Sequence, residues 1–156
     1  MPPVTTVSPS ILRLLAFDDE DLAVLSAHVQ DMTVRLDDFA WLPGDKTFAF
    51  AGERFDWVGA DGGLCQRVEC GLHFERVLRV RKQAFDGQTT FNLLSILFEP
   101  TDAPSGAVTL AFSGGATIRL DVECLEAQLR DLGPRRPCGC KPDHPGDAGT
   151  DRKVVA

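Results

Sequence analysis

The stretch Phe39-Ala40-Trp41-Leu42-Pro43-Gly44-Asp45-Lys46-Thr47-Phe48-Ala49-Phe50 decides the fold class. On either side of Pro43-Gly44-Asp45-Lys46, ring-bearing residues alternate with others at the period of two that a strand buried on one face requires. With those four residues as the loop, Trp41 faces Phe48 and Phe39 faces Phe50. One side of the hairpin is then wholly aromatic, and such a face belongs in a core. An antiparallel sheet with a buried side is the first expectation.

Upstream, Met32, Val34 and Leu36 share one strand face and Thr33, Arg35 and Asp37 the other. The apolar parity switches at Asp37-Asp38, which a β-bulge would absorb. Before that, residues 11–17 form an apolar run of strand length, and Asp18-Asp19-Glu20-Asp21 precedes Leu22, Leu25 and Val29 at helical spacing. An Asp N-cap with acid in the first turn predicts a helix over 19–29. The same acidic run lacks the glycine and terminal glutamate of a Ca²⁺ loop.

Downstream, Phe55 and Trp57 alternate as in a strand, and residues 58–63 read as a loop. Regular alternation returns over 71–82, with Leu72, Phe74, Arg76, Leu78, Val80 and Lys82 on one parity and His73, Glu75, Arg79 and Arg81 on the other. A strand over 91–98 follows a turn at Asp86-Gly87 and stops at Glu99-Pro100. For the next hairpin, a loop of Gly114 to Ala116 pairs Phe112 with Ile118, Leu110 with Leu120 and Val108 with Val122, collecting the large apolar groups on one face. Asp121 as N-cap, Val122, Leu125, Leu129 and Leu132 at spacings of 3, 4 and 3, and a Gly133-Pro134 stop predict a C-terminal helix.

The expected fold is therefore α+β: a mostly antiparallel, curled sheet or small barrel of about seven strands, with one N-terminal and one C-terminal helix. A sheet of that kind, its open end covered by the last helix, resembles the pleckstrin-homology-like architecture. Residues 1–10 form a leader and 11–132 one globular domain. Residues 133–156, with four Gly, four Pro and no Leu, Ile, Met or aromatic residue, form a tail too poor in apolar surface to offset its ordering entropy.

The 156 residues are 44% hydrophobic and 25% charged, enough for one core and no second domain. The net charge of −7 divides into +2 on the tail and −9 on the remainder, which disfavours general nucleic-acid or anionic-membrane binding. No apolar run approaches the roughly 20 residues that span a bilayer. Five cysteines without an export signal predict a cytoplasmic protein whose thiols are free or bind metal.

Gly71-Leu72-His73-Phe74-Glu75-Arg76-Val77, together with Pro104 to Val108, Ser113-Gly114-Gly115, Ile118 to Glu126 and Asp131-Leu132-Gly133, resembles a family of short alphaproteobacterial proteins of unknown function. The resemblance spans residues 11–134 and implies no catalytic residue.

Cys65, Cys70, Cys138 and Cys140, with His144 following, offer thiolates for a zinc site, but their spacing departs from the paired knuckles of structural zinc. No metal and no cofactor is expected. Nucleophile elbows, His-Glu-x-x-His pairs, phosphate loops and dinucleotide fingerprints are absent from the sequence. His73, with Glu75 beside it, is the one strand-borne candidate for a general base.

Arg76 is the oddest residue, since parity places it among apolar neighbours, where a guanidinium must meet a carboxylate such as Glu99 or Asp121, or a bound anion, unless a bulge turns it outward. With Arg79, Arg81 and Lys82 it forms a dense cationic strand in an acidic chain. The candidate ligand-binding residues are His73, Arg76, Arg79, Arg81 and Lys82, facing an acidic protein partner or an anionic small molecule. The function expected is a non-enzymatic binding or protein-interaction module. Its alternative is an anionic-ligand-binding or enzymatic domain built on His73, Glu75, Arg79 and Arg81, distinguished by a deep polar cavity beside residues 73–82.

Overall fold

A computed structural model describes residues 12–57 and 65–137. In chain order it contains β1 (Arg13–Ala16), α1 (Asp19–His28), β2 (Thr33–Arg35), β3 (Phe39–Leu42), β4 (Thr47–Phe55), β5 (Gln66–Phe74), β6 (Val77–Gln83), β7 (Thr90–Pro100), β8 (Gly106–Phe112), β9 (Thr117–Val122) and β10 (Ala127–Pro137). The strands form one unclosed sheet of order β1-β10-β5-β4-β2-β7-β8-β9-β6, with β3 added on β4. The fold is α+β and mostly antiparallel, but it has ten strands rather than about seven and, among the described residues, one α-helix rather than two.

The opening hairpin forms as its sequence dictates: Phe39 lies opposite Phe50 and Trp41 opposite Phe48. Its rings continue into the core, where Phe39 meets Phe112 of β8 at 5.6 Å between ring centroids and Phe50 meets the same ring at 6.2 Å. Contacts between β4 and β8, far apart in the strand order, require the sheet to curl around this aromatic centre. Each ring buried there contributes on the order of 2 kcal/mol. The parity switch at Asp37-Asp38 is made by a 3-10 turn, Leu36–Asp38, instead of a bulge. Helix α1 begins at Asp18, whose carboxylate accepts from the Asp21 amide at 2.8 Å. The helix lies against β7 and β1.

Other expectations are corrected. The predicted C-terminal helix is strand β10, inserted between β1 and β5. Ala127, Leu129 and Asp131 are buried while Arg130 and Leu132 are exposed, the alternation of a strand. A slot open on two sides demands backbone hydrogen bonds from both edges, and only an extended segment supplies them, so tertiary pairing overrides the leucine spacing. The pleckstrin-homology-like arrangement, which needed that helix over its open end, falls with it. Strand β10 also continues past Leu132 to Pro137, whose register partner is Gln66.

The segment 71–82 is two strands, not one. Arg76 adopts a left-handed backbone with φ 60° between β5 and β6. The chain turns there, so that β5 pairs with β4 and β10 while β6 pairs with β9. Finally, the β8–β9 loop is Ser113–Gly115, and Leu110 pairs with Ile118 and Val108 with Leu120. Gly114 and Gly115 both have positive φ near 80°, which glycine alone adopts without strain, and this closes the turn one residue earlier than expected. The faces survive because a residue stays opposite one of its own parity.

Gly52 permits the close approach of β2 to β4, since a Cβ there would lie 2.2 Å from the Thr33 carbonyl oxygen. No helix among the described residues is long and apolar enough to cross a membrane. Residues 1–10 and 138–156, assigned above to a leader and to most of a tail, lie outside the described residues.

Candidate functional site

The turn at Arg76 disperses the predicted site residues. Arg76 is 58% exposed at its side chain and meets Glu126 at 3.5 Å and Glu123 at 3.9 Å. It is neither buried nor paired with Glu99 or Asp121, because the left-handed kink turns it out of the strand parity. Its neighbour Glu123 also accepts from Lys46 at 2.8 Å. The Lys46 hydrogen bond, with the Lys46 and Arg76 charges, holds the Glu123 carboxyl below its ordinary value against an opposing desolvation.

His73 stays on β5, between Ala49 of β4 and Gln128 of β10. Its Nδ1 lies 2.8 Å from Glu75 Oε2 and its Nε2 3.2 Å from Gln128 Oε1, while the Thr47 hydroxyl donates to Glu75 Oε1 at 2.9 Å. Both ring nitrogens and both carboxylate oxygens are thus engaged within the sheet. The Lys82 ammonium sits 6.0 Å from the centroid of the Phe85 ring, beside the aromatic centre.

What remains together is the pair Arg79 and Arg81 on β6, joined by a residue the sequence did not single out. Arg81 lies directly opposite Arg119 of β9, and Arg79 opposite Asp121. Directly opposite residues project to the same side of a sheet, so two guanidinium groups face each other, an arrangement that is destabilising alone. Asp121 relieves it. Its carboxylate accepts from Arg81 at 2.8 Å and Arg119 at 3.4 Å, and lies 3.6 Å from Arg79. Desolvation pushes the Asp121 carboxyl up, but hydrogen bonds from Arg81 and Arg119 and their charges outweigh it and hold the group below its ordinary value. Three cations therefore share one anion on an exposed sheet face.

Among the described residues the sheet carries surface grooves, two of which are well formed. One of about 450 Å³ is lined by Thr33, Arg35, Asp38, Gly52, Glu53 and Glu69. The other, about 330 Å³, lies between α1 and β7 and includes Ala23, Ala27, Gln30, Leu94, Ile96 and Leu97. Neither is lined by any of residues 73–82.

A family model described as "Protein of unknown function (DUF2948)" matches residues 12–144. The chain belongs to DUF2948. The match extends ten residues past the 134 at which the sequence resemblance ended. No curated protein and no solved structure matches the chain.

The DUF2948 fold also holds a polar cluster that sequence reading missed altogether. Arg54 of β4 and Asp131 of β10 are both buried, and the guanidinium grips the carboxylate with Nε to Oδ1 at 2.9 Å and Nη2 to Oδ2 at 3.0 Å. The Leu12 amide donates to Asp131 Oδ2 at 3.0 Å, and Asp131 returns its own amide to the Leu12 carbonyl at 3.0 Å. Arg135 adds a hydrogen bond to the buried Asp56 at 2.8 Å. Among the described residues, Arg54 Nη1 is buried without a hydrogen-bond partner. This cluster fastens β4, β10 and Leu12 at the entry to β1, a structural role in which each buried charge depends on the others for its partners.

The cysteines divide. Cys65 is disulfide-bonded, which departs from the expectation of thiols that are free or bind metal. Cys70 and Cys124 are free. Burial pushes the Cys70 thiol up to about 12, and its Sγ lies 4.0 Å from Met32 Sδ inside the core. Cys138, Cys140 and His144 lie outside the described residues.

Proposed function

We propose that this protein is a non-enzymatic interaction module that presents the outer face of β6 and β9 to an acidic partner. The observation that carries the reading is the shared carboxylate: among the described residues, Arg79, Arg81 and Arg119 all pair with the single anion Asp121. A pair of arginines placed opposite each other across two strands is costly in isolation and gains from any further anion brought to it. In a chain of net charge −7 such a face is a local exception. It favours association with an acidic surface by steering and by charge-assisted hydrogen bonds.

The alternative, a small-molecule or enzymatic site uniting His73 and Glu75 with the arginines, finds less support. His73 and Glu75 are tied to Gln128 and Thr47. They also lie on the far side of the Arg76 turn from Arg79 and Arg81.

The setting we propose is the cytoplasm. The disulfide at Cys65 argues the other way, because disulfides persist in oxidising compartments. Thiol trapping at the moment of cell lysis, followed by mass spectrometry of Cys65, decides between them.

The test of the function is titration of a fluorescent poly-glutamate peptide into the purified full chain, alone and with Arg81→Glu and Arg119→Glu. Binding that weakens with salt and falls about tenfold or more in the double variant is the expected result. Equal binding by the double variant removes the reading.

A further inference from the structure

Cross-strand register links the arginines to an apolar site on the same face. Leu97 of β7 lies opposite Thr109 of β8, Thr109 opposite Arg119, and Arg119 opposite Arg81. These four side chains therefore project outward in one row across four strands. Leu97 is 63% exposed and Leu94 46%, and Val24 on the outer side of α1 is 54% exposed. Leu94 and Leu97 line the 330 Å³ groove with Ala23 and Ala27 of α1. The groove is built in: the Ser26 hydroxyl accepts from the Ile96 amide at 3.3 Å, seating the helix beside β7. Helix α1 thus presents small residues toward exposed leucines at one end of a row that ends in two guanidinium groups.

Resting on the docking reading above, we infer that the acidic partner is a peptide segment that carries an apolar anchor as well as carboxylates. Its aliphatic or aromatic side chains enter the α1–β7 groove, and its acids lie over Arg119 and Arg81. Charge complementarity selects the occupant, since an apolar surface alone would take any greasy segment, whereas one continuous with Arg119 and Arg81 rewards acid at a fixed distance. At about 4.8 Å per strand, Arg119 lies about 10 Å and Arg81 about 14 Å from Leu97 along the row. An extended peptide rising about 3.3 Å per residue spans that distance in roughly three to four residues.

The acids must approach from one side. In the neighbouring row, Arg79, Asp121, Ala107 and Glu99 follow one another in register, so two carboxylates outnumber the single cation there. On the opposite flank, Gln83, Thr117, Ala111 and Ser95 are uncharged. The carboxylates therefore contact the Arg81–Arg119 pair from the Thr117 side.

A rival occupant lies within the chain itself. Leu15 and Phe17 are exposed, and Asp18-Asp19-Glu20-Asp21 follows them, so a second copy carries the same chemistry. The closing experiment separates these cases. Fluorescein-labelled Ser/Gly peptides carrying a leucine pair followed by two glutamates, at separations of two to five residues, are titrated into the full chain by anisotropy. Counterparts have the leucines replaced by serine or the glutamates by glutamine.

Strongest binding at a separation of three to four residues is expected, weakened about tenfold or more when either element is removed. On the protein side, Leu94→Ser with Leu97→Ser is expected to abolish the preference for leucine-bearing peptides while retaining salt-sensitive binding of the glutamates. Both leucines are exposed, and an unchanged thermal melt verifies the fold.

Arg-dependent binding that ignores the leucines and Leu97 overturns this inference and leaves the docking reading standing. No binding of any glutamate peptide removes the docking reading itself. Sedimentation showing a dimer that Leu97→Ser or Arg81→Glu dissociates overturns the separate partner in favour of a second copy.

Discussion

Asp131 and Asp121 both hold arginines, and they do opposite things. Asp131 grips Arg54 through two hydrogen bonds where neither side chain reaches solvent. Asp121 lies among Arg79, Arg81 and Arg119, which are 64%, 53% and 45% exposed. In the first case the pair is closed, and breaking it strands a charge in a medium that cannot solvate it. In the second, water screens every partner and the stoichiometry is unbalanced, so the interaction adds little to folding and leaves cationic capacity free. Burial, more than the identity of the pair, decides whether an arginine–aspartate contact is a fastener or a docking point.

The largest effect is expected at the fastener. Asp131→Ala leaves the buried Arg54 guanidinium without the carboxylate that accepts both of its hydrogen bonds and should lower unfolding stability by about 3–5 kcal/mol, read as a shift in the denaturant midpoint. Replacing both partners by apolar residues, Arg54→Met with Asp131→Leu, should recover most of that loss. A single-variant cost below about 1 kcal/mol would show that the pair is wetter than its burial implies and would erase the contrast with Asp121.

Substitutions on the exposed side should separate stability from binding. Asp121→Asn removes the carboxylate that three guanidinium groups share, costing at most about 1 kcal/mol of stability because each partner is solvated. The same change should tighten binding of a glutamate peptide severalfold, since the peptide no longer competes with an internal anion. The two aspartates are thereby predicted to differ in the property they govern as well as in the size of their effect on stability. Weaker peptide binding in Asp121→Asn would mean that Asp121 orients the arginines rather than competing for them.

How much of this was legible follows the same division. The β3–β4 hairpin could be read because Phe39, Trp41, Phe48 and Phe50 obey one period and need nothing distant to define their face. Helix α1 could be read because Asp18 caps it locally. Strand β10 could not, since its inward row of Ala127, Leu129 and Asp131 ends in a charge, and a buried charge looks like an exposed one until its partner is known.

Arg54 was hidden twice over. It sits next to Phe55 with both side chains buried, which breaks alternation at the end of β4. Its partner is also 77 residues away. Only the register of β4 on β5 and of β5 on β10 brings them together. The cationic strand was visible as composition, but not the turn at Arg76 that removes His73 and Arg76 from it. Nor was the opposition of Arg81 to Arg119, which adds a member that neither composition nor spacing singles out.

Thiol chemistry sharpens the boundary of the closed region. Cys70 lies opposite Asp131 across β5 and β10. Burial raises its thiol to about 12, whereas Cys124 is half-buried in the connection from β9 to β10. At neutral pH, site-resolved alkylation followed by mass spectrometry should label Cys124 well before Cys70, by at least about tenfold in rate, because Cys70 reacts only when the core opens. Asp131→Ala should narrow that gap and Asp121→Asn should not. Equal labelling of the two cysteines in the unaltered protein would place the Arg54–Asp131 neighbourhood among its mobile parts.

The smallest expected effect is a pH slope at the edge of the same closed region. Burial first, and then the Arg54 charge, hold the His28 imidazole below its ordinary 6.5, against opposing pulls from Asp131 and Asp56. A group that binds its proton less readily folded than unfolded makes the folded state lose stability as pH falls through its unfolded value. Stability should therefore be level above about pH 7 and decline as the pH drops through 6.5 toward 5, and His28→Gln should flatten that decline. The substitution isolates the histidine because glutamine does not titrate. An unchanged slope in His28→Gln would assign the decline to other groups and leave the buried cluster without a pH sensor at its rim. A slope of opposite sign would mean that Asp131 and Asp56 dominate the imidazole and that the cluster's net field is negative. Either result would revise the picture of Arg54 as the stronger neighbour.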